Sequence, residues 1–240
     1  MLGWDFSAFK GRWIEENPPW DFRKVIIDEA SRSNSLLDLG TGGGEFLSSL
    51  IPLPRMTLCT EGYPPNLNVA KIRLKPLEVD VVNSFCDDNN VAIQKGALPF
   101  RSESLDLVID RHESFLANEV YRVLKKGHYF LTQQVGTENL AELNLLLGAK
   151  ILPPAWNLVE CEKQVERAGF EIVQSNEAKL NSEFKDVCAI ACFLLSAPWQ
   201  IPGFTIEGYL PKLKKLHETI ETKGSVRATG TRFYLKALKK

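Results

Sequence analysis

No stretch of this 240-residue chain reaches about eighteen consecutive apolar residues, so no membrane-spanning helix is expected. The first residues, Met1-Leu2-Gly3-Trp4-Asp5-Phe6, lack a basic segment followed by an apolar one, which argues against a secretory signal. Histidine is scarce, with three in all, and the five cysteines (59, 86, 161, 188 and 192) form no C-x-x-C pair. A zinc or other metal site is therefore not expected. Cys188 and Cys192 lie four apart in an apolar segment and read as small buried residues. The odd cysteine count and the missing signal point to a reducing, cytoplasmic setting. Excess positive charge is missing too: 29 Lys and Arg stand against 30 Asp and Glu, with a net charge of −1. A protein that grips nucleic acid broadly is normally basic, so such a partner would need a local patch. Hydrophobic residues make up 44% of the chain, enough for the core of one large α/β domain spanning 1–240.

Glycine, by contrast, is concentrated. In Leu36-Leu37-Asp38-Leu39-Gly40-Thr41-Gly42-Gly43-Gly44-Glu45-Phe46, a short apolar run meets an acid, then a glycine-rich turn, then the start of a helix. A loop so poor in side chains brings backbone close to something. The dinucleotide pattern G-x-G-x-x-G fails here, because the sixth position is Glu45. That carboxylate would also compete with a pyrophosphate for the positive helix end. Further on, Thr57-Leu58-Cys59-Thr60-Glu61-Gly62 is a β-prone run ending in an acid. Its distance from the glycines suits a βαβ unit in which a carboxylate at Glu61 accepts from both ribose hydroxyls.

The acidic-x-G-x-G-x-G spacing resembles motif I of the class I S-adenosylmethionine methyltransferases. That ligand has no phosphate and carries a sulfonium and an ammonium, which acids at Asp38 and Glu45 suit. The likeness continues through Gly96-Ala97-Leu98-Pro99-Phe100 and Ser104-Leu105-Asp106-Leu107-Val108-Ile109. These resemble the segments after the family's third strand and along its fourth, but Gly96 meets Ala97 directly, after Lys95, where family members often carry Gly-Asp-Ala. With Pro18-Pro19-Trp20-Asp21, Leu131-Thr132-Gln133-Gln134-Val135-Gly136 and Ala197-Pro198-Trp199-Gln200-Ile201-Pro202-Gly203-Phe204, nearly the whole chain is similar to a bacterial group of uncharacterised type 11 methyltransferases. The resemblance implies a Rossmann-like, mostly parallel seven-stranded sheet with an antiparallel last strand and helices on both faces. It implies S-adenosylmethionine as cofactor, held by Asp38, Gly40, Thr41, Gly42, Gly44, Glu61, Gly62, Tyr63, Ala97, Leu98 and Arg111. The Ala97 backbone would meet the adenine edge, Leu98 its ring, and Tyr63 a face of the nucleoside.

Elsewhere, Val91-Ala92-Ile93-Gln94 reads as a strand. Asn118 to Lys126 reads as a helix capped by Gly127, with His128 in the surface loop beyond. Residues 1–30, rich in Phe and Trp, read as a cap of one or two helices over the cofactor side. A helical insertion at 183–223 separates the last two strands, and long connections are often lids. The acids and bases after the fourth strand, Asp110, Arg111, His112 and Glu113, stand where open α/β sheets bind ligands. Among them His112 has the ionisation range of a general base. Gln133 and Gln134 could orient an acceptor, but alternation along a strand sends one of them to the other face. Methyl transfer to a small molecule is the leading expectation. RNA or protein as acceptor, with Lys212, Lys214, Lys215, Lys223 and Arg227 as a path, is the second. A non-catalytic cofactor-binding module is the third.

Overall fold

The computed structural model describes residues 9–86, 95–151 and 155–240. The expected strand at Val91–Gln94 and the first residues of the aromatic arm, Trp4 and Phe6 included, lie outside the described residues. Eight strands form one sheet: β1 (Trp13–Glu15), β2 (Ser35–Leu39), β3 (Met56–Glu61), β4 (Asp80–Asn83), β5 (Leu105–Arg111), β6 (Leu124–Gln134), β7 (Phe170–Phe184) and β8 (Val226–Lys239). Their order across the sheet is β1-β7-β8-β6-β5-β2-β3-β4. Strands β2 to β6 pair in parallel, β8 pairs antiparallel with both β6 and β7, and β1 pairs antiparallel with β7. Six of the expected seven strands fall among the described residues, as β2, β3, β5, β6, β7 and β8; β4 and β1, a short edge strand from the N-terminal arm, were not expected. The arm supplies that strand and one helix, α1 (Phe22–Ala30), rather than helices alone.

The remaining helices are α2 (Glu45–Ser48), α3 (Pro64–Leu74), α4 (Ala117–Val123), α5 (Ala141–Leu146), α6 (Leu158–Arg167), α7 (Val187–Ser196) and α8 (Ile206–Lys223). They cover both faces. Consequently Leu105 to Asp110 of β5 are all buried, with no alternation between core and solvent along the strand. On one face Leu107, Ile109 and Leu131 pack with Phe22, Ile26, Leu47 and Leu74 of α1, α2 and α3. On the other, Val108 and Phe130 pack with Val120 of α4 and Val165 of α6.

A third core belongs to the inserted helices. Ile190, Phe193 and Leu194 of α7 meet Leu213, Leu216 and Ile220 of α8, together with Leu143 of α5 and Phe184 and Val226 of the hairpin. Strand β7 runs on to Phe184, so the inserted segment begins after that residue rather than at 183. Both new helices are capped by side chains: Asp186 accepts from the Ala189 N–H at 2.9 Å, and Thr205 from the Gly208 N–H at 3.1 Å. Cys188 and Cys192 are exposed, against expectation. Helix α7 is apolar nearly all round, so composition did not reveal which face turns inward, and the two thiols share the outer one.

Two further expectations change around β6. Helix α4 stops at Val123, because Lys239 of β8 donates to the Tyr121 and Leu124 carbonyls at 2.7 Å each and occupies the helix end. Lys125 therefore leaves the helix and pairs with the buried Asp106 at 2.7 Å. His128 lies within β6, 3.9 Å from Asp106, rather than in a surface loop.

The hairpin gives the molecule its asymmetry. Strand β6 ends at Gln134, opposite Phe233, while β7 and β8 stay paired out to Phe184 and Val226. The hairpin therefore projects past the C-terminal ends of the parallel strands by roughly 20 Å at the usual rise per residue. Strand β1 closes its outer edge, with Trp13 stacked on Phe184 at 5.1 Å.

Candidate cofactor and acceptor site

The C-terminal ends of β2, β3 and β5 converge on one cleft. Its wall includes Gly40, Glu61, Gly62, Tyr63, Phe85, Leu98, Glu113 and Phe115. The glycine loop is stitched to the neighbouring strand: the Gly40 N–H donates to Thr60 Oγ1 at 3.1 Å and the Thr41 N–H to the Thr60 carbonyl at 2.9 Å. Gly40, Gly42 and Gly44 have φ values of 59°, 63° and 80°, so the alternate glycines of the motif are the left-handed ones. At Gly40 a side chain would also collide with that of Glu113.

Glu61 closes β3 and is buried. Its carboxylate accepts from the Tyr63 N–H at 2.7 Å and from Asn66 Nδ2 at 3.4 Å. Burial raises its pKa, and these bonds, with the backbone N–H groups of Gly42 and Gly62, oppose the rise. Asp38, buried beside Thr41, is pushed up to about 7, first by burial; the Thr41 hydroxyl and Arg111 oppose this, while Glu61 and Glu113 add to it. Asp110 is fully buried and is raised well above the carboxylate range by burial and then by Glu113. Asp38, Glu61, Asp110 and Glu113 thus crowd together, with Arg111 the guanidinium coupled to Asp38. No group of three or more metal-ligating side chains suited to an ion occurs among the described residues.

The other expected residues are placed as follows. Tyr63, 62% exposed, stands at the cleft mouth, and Leu98 lines the wall, its N–H donating to Glu119 at 2.8 Å. Ala97 is exposed and is not part of that wall. Gly42 and Gly44 shape the loop behind the wall, which their neighbour Gly40 lines. Glu45 is drawn to α3, where it pairs with Arg73 at 2.8 Å. The inserted helices contribute none of the wall residues.

The two glutamines divide as strand alternation requires. Gln134 donates to the Glu113 carbonyl at 2.8 Å and to both Asp110 oxygens at 3.2 Å, so it braces the acidic side. Gln133 turns the other way. Its Oε1 accepts from the Trp20 indole at 2.9 Å, and its Nε2 lies 3.4 Å from His112 Nε2. His112 has a left-handed φ of 69°, and its N–H donates to the Gln133 carbonyl at 2.9 Å. Arg111 sits with its guanidinium 4.8 Å from the centre of the Phe46 ring. Both Arg111 and His112 are exposed and stand beside the cleft wall, which their neighbour Glu113 lines, rather than in it; surrounding protein lowers the pKa of each, with burial the first cause. Arg111 and Arg232 lower His112 further by like charge.

Sequence reasoning missed Arg232 and Glu15. Their side chains pair at 2.5 Å under the β1 edge, and Arg232 also donates to Asn139 at 2.9 Å. The partners stand 217 residues apart, and no local pattern marks either.

No protein-family model matches the chain, and no curated protein does. Solved structures do. A candidate methyltransferase from Bacillus halodurans superimposes with a TM-score of 0.62 at 20% identity, covering 91% of this chain and 98% of that one. A candidate sarcosine dimethylglycine methyltransferase from Galdieria sulphuraria gives 0.54 at 13% identity, covering 90% and 82%. The [4+2]-cyclase SpnF gives 0.54 at 14%, covering 90% and 79%, so one architecture carries more than one chemistry. Strand order, the reversed β8 and these superpositions together establish that the chain has the Rossmann-like fold of class I methyltransferases.

Proposed function

We propose that this protein binds S-adenosylmethionine and transfers its methyl group to a small-molecule acceptor. One observation carries the reading: buried carboxylates gather at the mouth of a glycine turn whose backbone is left-handed at three alternate positions. A pyrophosphate would meet Asp38, Glu61 and Glu113 at close range, and like charge would expel it. A ligand with an ammonium, a sulfonium and a ribose instead relieves the crowding. In this reading Glu61 accepts from the ribose hydroxyls, Asp38 and its neighbours offset the positive charge, and Gly40 lets backbone approach. Leu98 packs on the base and Tyr63 covers the mouth. The bound cofactor supplies an already activated methyl group. The chain's task is then to position, orient and exclude water. The cyclase of the same fold supports one alternative, a role other than methyl transfer.

Calorimetry with S-adenosylmethionine and S-adenosylhomocysteine tests the cofactor. Wild type is expected to bind both, and Glu61→Ala or Asp38→Ala to weaken binding by roughly tenfold or more, the scale of one lost charged hydrogen bond. A folded wild type that binds neither ends the proposal. A labelled-methyl assay on cell extract, separated into small-molecule, RNA and protein fractions, then reads the acceptor class. Label confined to RNA or protein would overturn the small-molecule assignment.

A further inference from the structure

His112 is the next residue after Arg111, which ends β5, and in an extended strand the two side chains would point to opposite faces. They do not. Arg111 lies over Phe46, on the face that α1 and α2 cover, and the His112 ring meets Gln133 and, through it, Trp20 on that same face. The left-handed φ of 69° at His112 breaks the alternation. Such a conformation is uncommon for a side chain with a Cβ and persists where the surroundings over-determine it. Here its N–H is pinned to the Gln133 carbonyl at 2.9 Å. The strain places a guanidinium and an imidazole side by side, both exposed and next to Glu113 of the cleft wall.

The protonation of that imidazole follows from the network. The indole N–H of Trp20 can only donate, so the Gln133 atom it meets at 2.9 Å is the amide oxygen. The amide nitrogen then faces His112 Nε2 and donates to it. A ring nitrogen that accepts carries no proton, so the neutral imidazole holds its proton on Nδ1. Trp20 and Gln133 therefore act as positioning residues that make His112 a donor. Its one basic nitrogen is already engaged. Arg111, exposed, forms no ion pair among the described residues.

We infer that the methyl acceptor reacts as an oxyanion, a carboxylate or phenolate held between the Arg111 guanidinium and the His112 Nδ1–H. This rests on the methyl-transfer reading above and replaces the expected roles of Arg111 at the cofactor and His112 as base. No base is then needed. The acceptor oxygen uses its own electron pair to form the O–CH3 bond, while the pair of the breaking S–CH3 bond returns to sulfur. The negative acceptor and the positive sulfonium both become neutral, and no proton moves. A neutral alcohol would require a proton acceptor that the Trp20-Gln133-His112 chain has occupied.

The test uses the full-length protein saturated with S-adenosylhomocysteine. Nitrogen-15 spectra of the histidine rings, with His112→Gln for assignment, are expected to show the Nδ1–H tautomer in wild type. Gln133→Leu should shift it toward Nε2–H. Acetate, benzoate and 4-nitrophenolate are the anion probes, and benzamide is the neutral control. At least one anion should bind tenfold or more tightly than benzamide. Arg111→Met and Arg111→Lys should each weaken that anion while S-adenosylhomocysteine binds within about twofold of wild type. An Nε2–H tautomer in wild type overturns the inference, as does failure of all three anions. It is overturned equally if the Arg111 variants lose S-adenosylhomocysteine instead, since Arg111 would then hold the cofactor's own carboxylate. Absence of S-adenosylhomocysteine binding in wild type is a different result and removes the cofactor reading itself.

Discussion

The glycine-loop side of the cleft and the region beside it around His112 are assembled in opposite ways. The glycine-loop side comes from one continuous stretch, Asp38 to Asn66, tied by bonds between near neighbours such as Glu61 with the Tyr63 N–H at 2.7 Å. The side around His112 comes from remote segments: Trp20 meets Gln133 across 113 residues, and Arg232 meets Glu15 across 217. One side is a property of local backbone, and the other of the way the N-terminal arm and the final hairpin close on the sheet. Perturbations should therefore separate, with loop changes removing cofactor binding and closure changes removing stability or acceptor selection.

The hardest blow to the first side is Gly40→Val. It places a branched side chain at φ 59° and drives it into Glu113. Cofactor affinity is expected to fall at least a hundredfold by calorimetry. Should Gly40→Val bind S-adenosylhomocysteine as wild type does, the loop is not where the cofactor approaches. On the second side the largest effect belongs to Arg232→Met. It strands Glu15 beneath β1, where the pair leaves only 12% and 19% of its side-chain surface exposed. Breaking a largely buried pair from one end costs about 3 kcal/mol. Urea unfolding should show that loss, with S-adenosylhomocysteine affinity of the folded fraction nearly unchanged. A cofactor affinity that falls in step with stability would dissolve the separation.

The same contrast explains what the sequence disclosed. The glycine spacing, Asp38 and Glu61 were legible because backbone geometry over a few residues dictates them. Six of the strands, with β8 reversed, followed from the same local patterns and the resemblance they carried. Strand β4, four residues long, was not anticipated, and β1 was hidden because Trp13–Glu15 is a strand only where the overhanging edge of β7 receives it. The exposure of Cys188 and Cys192 was hidden because α7 has no polar face to set its phase. At Gln133-Gln134, alternation foretold that the pair would divide but not the partners, since Trp20 and Asp110 are supplied by other segments. His112 stood out in the sequence by its place after β5, but its backbone conformation, which decides its company, leaves no mark there.

The subtlest test uses pH, and it should touch the loop side alone. Asp38 titrates near 7, raised first by burial, with Glu61 and Glu113 adding to the rise and the Thr41 hydroxyl and Arg111 opposing it. In the unfolded chain it titrates near the ordinary value of about 4. A carboxylate raised on folding favours the folded state in its protonated form. That contribution is complete below about pH 4 and is lost as pH rises toward 7. Cofactor binding runs the other way. A cationic ligand stabilises the carboxylate, so affinity should rise with pH and level off above 7. Below 7 it should fall by up to about tenfold per unit, the limit for one linked proton. Calorimetry with S-adenosylmethionine between pH 5.5 and 8.5 reads the slope, and Asp38→Asn should flatten it at low overall affinity. A wild-type slope that survives in Asp38→Asn would move the linked proton to another group of the acidic cluster, with Asp110 the first candidate because Gln134 holds both its oxygens. The charge that receives the cofactor would then belong to β5, the strand that His112 follows, and the division between the two sides would run through β5 rather than beside it.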